Sequence, residues 1–525
     1  MRKIWLFTLI MLGFLNQSCL GPNIPRFQFN KADDFLNKAD RQSQKPHLKA
    51  HLRGGDLVLL YSEWQVDTIT GYIQGQGDRY DYNRKVVKKG ALKVSMDSVL
   101  IYEMNEDLEL PDGAMALIPL AILNTTATIL CLTQPKACFG SCPTFYTEDG
   151  SVFTAKGEGF SNAISPSLEY GDVDDLRTEA SGESFNLIMK NEAQETHCLR
   201  SVQLWALPIS QGEKAFMTRD KQFYSTSEIA LPQMAWVNKL DCLKELIAND
   251  DLEYSSKANG EDLASKEELF LEFDASSLHG EKALIVDFRQ SLMTTYFIYS
   301  ALGYMGDEAG DIFAKIEEKG DLKTALGKGL KDELGDLEVY LWDENTMIWI
   351  FQGSLYETGP IAINRQIVTL KNTAEKVRVK LVMNRGLWRL NHVALTSLKN
   401  KLEPVKLDPI VLKKNGSIHK FAQNQLLDSD QRMVSMPGDY FELEYKLPDP
   451  KQNYALHLYS KGYYMEWMRD EWLKEKNLWK LNQMMNHPKR YLKREAGAYK
   501  EYEKVMEDVF WSSQIKSKKV TTFGN

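Results

Sequence analysis

Short runs in which apolar and polar positions alternate recur along this chain, and they predict strands more often than helices. In the first part, DLVLLY (56–61) and ALKVSMDSVLIYE (91–103) have the pattern of half-buried strands. Gly71, Gly75, Gly77 and Gly90 lie around and between them, which predicts hairpins with these glycines in the turns. Farther on, SVFTAKGEGF (151–160), FNLIMKN (185–191) and VQLWALP (202–208) predict more strands. Between the first two of these, SPSLEYGDVDD (165–175) predicts a solvated turn carrying Asp172, Asp174 and Asp175. From residue 268 the strand pattern returns in ELFLEF, ALIVDF, LEVYLW, MIWIFQG, QIVTL and VRVKLVM. Val377, Val379, Leu381 and Met383 alternate cleanly enough to predict one buried face.

Three segments break this rhythm. Residues 114–132, AMALIPLAILNTTATILCL, carry no charge. Pro119 and Asn124 favour a helix buried against a sheet over a membrane span, with a docking surface as the other alternative. Residues 291–305, SLMTTYFIYSALGYM, are apolar on nearly every face and predict a buried helix or a contact surface. The run from Tyr454 to Met485 passes from strand into a helix with Tyr464, Met468 and Trp472 at helical spacing, and a charged helix follows Pro488. The expected fold class is α+β and β-rich, with two or more β-sandwich-like modules, helical insertions and a helical C-terminus. The expected divisions are 48–240, a linker at 241–266, 267–400, and 401–525.

The N-terminus changes the picture most. MRKIWLFTLIMLGFLNQSC begins with Arg2 and Lys3, continues with an apolar run to Leu15, and places Ser18 before Cys19. The run is too short to span a membrane comfortably and has the form of an export signal. It resembles a bacterial lipoprotein signal, which implies cleavage before Cys19 and lipid attachment to that cysteine. Residues 1–18 are then signal peptide and 19–47 a tether. The expected location is the bacterial cell envelope, lipid-anchored and facing the periplasm from the outer membrane. A mean hydropathy of −0.38 and 26% charged residues suit a water-soluble body held at a membrane by its lipid. A net charge of −8 with no basic stripe argues against nucleic-acid partners.

With Cys19 assigned to lipid, five cysteines remain: Cys131, Cys138, Cys142, Cys198 and Cys242. The sharpest local signal is CFGSCPTFYTEDG (138–150), whose spacing allows a structural disulfide between Cys138 and Cys142, unpaired thiols, a soft-metal site or a redox pair. The Cys-x-x-x-Cys-Pro spacing is similar to the copper site of thioredoxin-like copper chaperones. In that family a helix follows, whereas here the sequence reads as a hairpin. The fuller string Cys-Phe-Gly-x-Cys-Pro before an Asp-Gly hairpin, with SKGYYMEW (460–467), resembles a group of secreted and lipid-anchored bacterial envelope proteins. That resemblance implies an envelope address and a β-rich build, and no activity.

Other chemistry is sparse. His47 and His51 in HLKAH would share a helical face as ligands, but the glutamate of a zinc-protease motif is absent. There is no nucleophile elbow and no phosphate-binding loop, so no catalytic residue, cofactor or metal is assigned. Tyr464, Trp467 and Trp472 could form a sugar-stacking platform. The turn FQGSLYETGPIAINRQ (351–366) could present Glu357 and Arg365 as a binding loop. The leading expectation is a non-enzymatic binding or assembly component with a protein partner in the envelope. A carbohydrate-binding or carbohydrate-active protein and a thiol or copper protein are the alternatives.

Overall fold

In the computed structural model, residues 26–105 and 142–506 are described, apart from short stretches, the longest being 37–47, 313–328 and 467–471. The apolar segment 114–132, Cys19 and Cys138 lie outside the described residues. The chain divides into two compact units. The smaller holds residues up to 130 together with 301–318 and 468–478, and the larger holds the rest.

In the smaller unit, seven antiparallel strands between Arg26 and Asn105 form one sheet. Its core gathers Phe35, Leu48, Val58, Leu60, Trp64, Ile73 and Tyr102, with Phe35 stacked on Tyr102 at 4.5 Å. The HLKAH stretch is part of this sheet: Leu48–Leu52 is a strand and buries His51, so the helical ligand face does not form. The glycines divide into two kinds. Gly71 has positive φ in a turn, whereas Gly75 and Gly77 lie inside the strand Tyr72–Tyr80 and Gly90, also with positive φ, inside Val86–Ser95, none of the three in a turn. A Cβ at Gly77 would sit 2.0 Å from the Leu59 carbonyl oxygen, so close approach of a neighbouring strand explains this glycine.

The larger unit contains two sandwich-like modules, in keeping with the expected β-rich class. In the first, a six-stranded sheet runs from Ser417–Ile418 through Val411–Lys414, Tyr440–Lys446, Ser184–Lys190 and Thr144–Asp149 to Val152–Glu158. The facing sheet contains Tyr170–Ala180, Asn453–Glu466, Glu195–Ile209 and Val405–Leu407, with Met433–Ser435 attached to the third of these. Phe145, Leu187, Met189 and Leu443 from one sheet share a buried core with Leu199, Leu204, Leu456 and Leu458 from the other. The expected solvated turn is a strand instead, since Tyr170–Ala180 pairs with Asn453–Glu466 and buries Asp174 and Asp175. Tyr464 also lies on a strand and not on a helix.

The second module has a four-stranded sheet, Ile229–Ala230, Trp388–Ser397, Lys282–Gln290 and Asn364–Leu370. Its other sheet has six strands in the order Leu240–Asp241, Pro232–Val237, Lys266–Asp274, Lys376–Asn384, Leu337–Asp343 and Ile348–Leu355. Val377, Val379, Leu381 and Met383 are buried on one face, as their alternation predicts. The apolar segment beginning at Ser291 forms the helix Met293–Met305. Met293 and Phe297 in its first part are buried, so that part is core. Tyr296 and Phe297 on this helix meet Tyr499 and Tyr491 of the C-terminal helix Pro488–Glu503.

Two glycines test this packing in opposite directions. At Gly462 a Cβ would lie 2.4 Å from the Cys198 carbonyl oxygen and 2.9 Å from the Phe160 ring, so Gly462→Ala should cost about 1–3 kcal/mol in urea unfolding. Gly497 lies within the C-terminal helix with nothing near a new Cβ, and Gly497→Ala should stabilise by roughly 0.5–1 kcal/mol.

Candidate functional site

The turn that was expected to present Glu357 and Arg365 folds inward. It links the outermost strand of the six-stranded sheet in the second module to Asn364–Leu370, and it closes over carboxylates of the first module. Glu357, 5% exposed, accepts the backbone N–H of Thr358 at 2.6 Å and of Gly359 at 3.3 Å, and the Asn364 amide donates to its other oxygen. Glu158, 2% exposed, accepts the N–H of Ile361 at 2.7 Å through Oε2. Asp174 accepts the Glu158 N–H at 3.2 Å. The Tyr170 hydroxyl stands 3.1 Å from Thr358 Oγ1 and 3.4 Å from Asp172 Oδ2. Asn364 Oδ1 accepts the Asp175 N–H at 2.9 Å, and Arg289 donates to the Pro360 carbonyl.

Four carboxyl groups therefore share a region from which water is largely excluded. Burial pushes the Glu158 carboxyl up to about 7. Burial, reinforced by Asp172, pushes Glu357 up to about 8. Asp174 is raised well above the usual carboxylate range by burial and by Asp172, Glu357 and Glu158, and Asp172 is raised by burial despite the attraction of Lys221. Glu158 and Glu357 therefore titrate near neutrality, because a charged carboxylate in a dry interior costs more than a neutral acid with hydrogen bonds.

Beside this cluster, Glu158, Glu195, Glu466, Cys142 and Tyr464 line a cavity with room for about 20 Å³, enough for one water molecule. The Tyr464 hydroxyl donates to the Ser161 carbonyl at 2.8 Å, and the Cys142 sulfur lies 3.6 Å from the same oxygen. Burial, then Glu158 and Glu195, pushes the Cys142 thiol well above its ordinary value, which opposes the thiolate that soft metals and redox chemistry need. Among the described residues, no group of three or more His, Cys, Asp or Glu side chains is placed to hold a metal ion.

The aromatic platform does not form from the residues expected of it. Tyr464 is buried in the first module and Trp472 is buried in the smaller unit, while Trp467 lies outside the described residues. Arg365 is separated from Glu357 in role, since its guanidinium makes a two-point pair with buried Asp287 at 2.6 Å.

A run of exposed apolar residues lies elsewhere in the larger unit. Among the described residues, strand Ile348–Leu355 is the edge of its sheet and pairs only with Leu337–Asp343. Met347 just before it, and Ile348, Ile350 and Phe351 on it, are 64%, 55%, 41% and 54% exposed, and Trp349 is half-buried among them. On the outer face of the same sheet, Trp236 stacks on Phe270 at 5.6 Å, and Phe270 meets Trp349 at 5.7 Å. Trp342 packs edge-on to Trp349, and the Lys380 ammonium lies over the Tyr340 and Trp349 rings. The sequence signal was available in MIWIF, five apolar residues in a row where a half-buried strand would alternate.

No family model and no curated protein matches the chain. Among solved structures, it is similar to wild-type BuGH86 in complex with neoagarooctaose at 7% identity and a TM-score of 0.16, over 42% of this chain and 34% of that one. A glutamate-to-glutamine variant of BuGH86 in the same complex matches at 8% identity and a TM-score of 0.16, over 44% of this chain and 33% of that one. The secreted serine protease VesC from Vibrio cholerae matches at 11% identity and a TM-score of 0.15, over 72% of this chain and 76% of that one. The chain thus spans about a third of the BuGH86 structures, and at these scores none of the likenesses carries an argument about fold or activity.

The raised acids make stability depend on pH. A carboxyl whose pKa is higher folded than unfolded contributes fully below the unfolded value, near 4.3, and loses that contribution as pH rises through the folded value. For Glu158 the loss runs from about pH 4.5 to about 7 and is on the order of 3 kcal/mol. Glu158→Gln keeps the oxygen that Ile361 needs and cannot ionise. Urea unfolding from pH 5 to pH 8 should show the variant losing less stability than the wild type; parallel curves would show that Glu158 does not titrate in this range.

Proposed function

We propose that this chain is a lipid-anchored component of the bacterial cell envelope that acts by binding a partner protein, with the edge strand Ile348–Leu355 as its docking segment. The observation that supports this most is the run Met347–Phe351, apolar residues exposed at an unpaired sheet edge. Such an edge invites pairing with another chain, and folded proteins ordinarily blunt it with charge, proline or a covering element. Here Met, Ile, Trp and Phe occupy it, residue types suited to the buried centre of an interface. The anchor rests on the N-terminal signal and Cys19, with the body held at the membrane by lipid.

The anchor is tested by labelling with a palmitate analogue. Cys19→Ser should abolish label and release the protein from the membrane fraction, and label retained by the variant would sink the assignment. The docking segment is tested by Ile348→Lys and Phe351→Lys, both at exposed positions. The wild type should migrate in mild detergent as a complex larger than its own mass, and either variant should migrate alone with an unchanged melting temperature. A wild type that migrates alone, or variants that keep the complex, would exclude this strand as the docking segment.

A second reading draws on the row Trp236, Phe270 and Trp349, on which a glycan chain could stack. Glycan binding would be lost in Trp236→Ala and retained in Ile348→Lys, whereas a protein interface centred on the edge would respond in the reverse order.

A further inference from the structure

A different part of the larger unit carries a cleft whose walls are cationic at one end and apolar at the other. Its first half, about 430 Å³, is lined by four cations, Lys156, Arg177, Lys214 and Arg365, and two carboxylates, Asp175 and Glu179, among others. Its second half, about 300 Å³, shares Lys214, Asn249 and Arg365 and adds Phe216, Ile229, Leu231, Ile285 and His392. These volumes are those of small-molecule sites, and so is the mixture of a few polar groups with an apolar wall.

Arg177 is the unusual residue. Its backbone has φ of 48°, a left-handed conformation that a non-glycine residue rarely adopts, and it lies where the pairing of Tyr170–Ala180 with Asn453–Glu466 slips between Asp175 and Thr178. Bulges of this kind re-aim a side chain out of the ladder. The Asp175 carboxylate accepts the Arg177 backbone N–H at 2.7 Å, which holds the bulge. The guanidinium makes no hydrogen bond or ion pair among the described residues, and its Nε is buried without a partner. Burial and the neighbouring Arg365 both disfavour its charge, with Asp287 and Asp175 as partial compensation. Arg365 itself is committed to Asp287. At the other end, His392 is 7% exposed and its Nδ1 has no hydrogen-bond partner.

A strained backbone that delivers an unsatisfied guanidinium to a cleft is the arrangement expected where a ligand completes the hydrogen bonding. We infer that this cleft binds a small organic oxyanion, a carboxylate, sulfate or phosphate on a compact carbon framework. The anionic group takes the fork of Arg177, with Lys214 and Arg365 adding positive field, and the framework lies toward Phe216, Ile229, Leu231 and Ile285. Arginine suits this role because its planar donors match the oxygens of such groups in pairs. Acidic saccharides and phospholipid headgroups both present this chemistry in an envelope.

The test is calorimetric titration of the mature protein with glucuronate, glycerol 1-phosphate and sodium sulfate. At least one organic anion should bind more tightly than sulfate. Preference for glucuronate would identify an acidic saccharide as the source, and preference for glycerol 1-phosphate a lipid headgroup. Arg177→Ala should weaken binding at least tenfold. Arg177→Gly is the safeguard against misfolding, because glycine accepts this φ: it should lose binding equally while melting no lower than the wild type. Arg378→Ala, at an exposed ion pair with Glu272, should bind as the wild type does. Absence of binding by all three anions, organic anions no better than sulfate, or unchanged affinity in Arg177→Gly would each overturn the inference.

Discussion

The larger unit depends on buried carboxyl groups that accept hydrogen bonds from the turn joining its two modules. The turn from Tyr356 to Asn364 reaches from the second module to Glu158 on the first, and Asn364 reaches to the backbone of Asp175. A charged carboxylate would be costly in such a place, and an apolar side chain would leave the N–H groups of Ile361 and Thr358 without acceptors. Neutral or partly neutral acids meet both demands. They accept from the turn's backbone and, by keeping a proton, avoid the full cost of ionisation. The two modules are thereby joined through hydrogen bonds of fixed geometry in addition to apolar contact, and this favours one relative placement of their strands.

That arrangement explains why strand positions were legible in the sequence and the acidic cluster was not. Alternation at Val377, Val379, Leu381 and Met383 reports burial directly, because water excludes those side chains whatever the tertiary context. GDVDD reads as a turn by the same logic, since an aspartate is ordinarily solvated. Burial of Asp174 and Asp175 is tolerable because their carboxylates accept backbone N–H groups, Asp174 from Glu158 of another strand and Asp175 from Arg177 in the bulge, and neither partner is visible in the local pattern. Gly75 and Gly77 were misplaced for a similar reason. At Gly77 the need for no side chain comes from the strand at Leu59, and at Gly75 from the backbone of Trp64, not from a local turn. The binding-loop reading of Glu357 located a residue of structural importance and assigned it the wrong exposure.

The surface shows the opposite imbalance. Exposed apolar edges are selected against because they pair with any available strand, yet MIWIF combines an open edge with large side chains on both sides. The pattern breaks a rule that Lys266–Asp274 and Leu337–Asp343 of this sheet keep, with Glu268, Glu272 and Glu338 alternating with buried leucines and valines. Consecutive exposed apolar residues in one edge strand are more informative than apolar surface scattered singly.

Arg177 is a departure of the same kind inside the fold. Glycine at this position would relieve the backbone and remove a cation from a place that disfavours its charge, so the residue is locally expensive twice over. Asp287, Asp175 and Glu253 offset part of the charge cost, but no described residue gives the guanidinium a hydrogen bond or ion pair. The neighbouring acids are each committed to other work: Asp175 to the bulge backbone, and Asp287 to Arg365. What Arg177 does gain from its position is access to a cleft with an apolar wall beside it. Local cost without an internal partner places the compensation outside the chain, in whatever anion completes the guanidinium's hydrogen bonds.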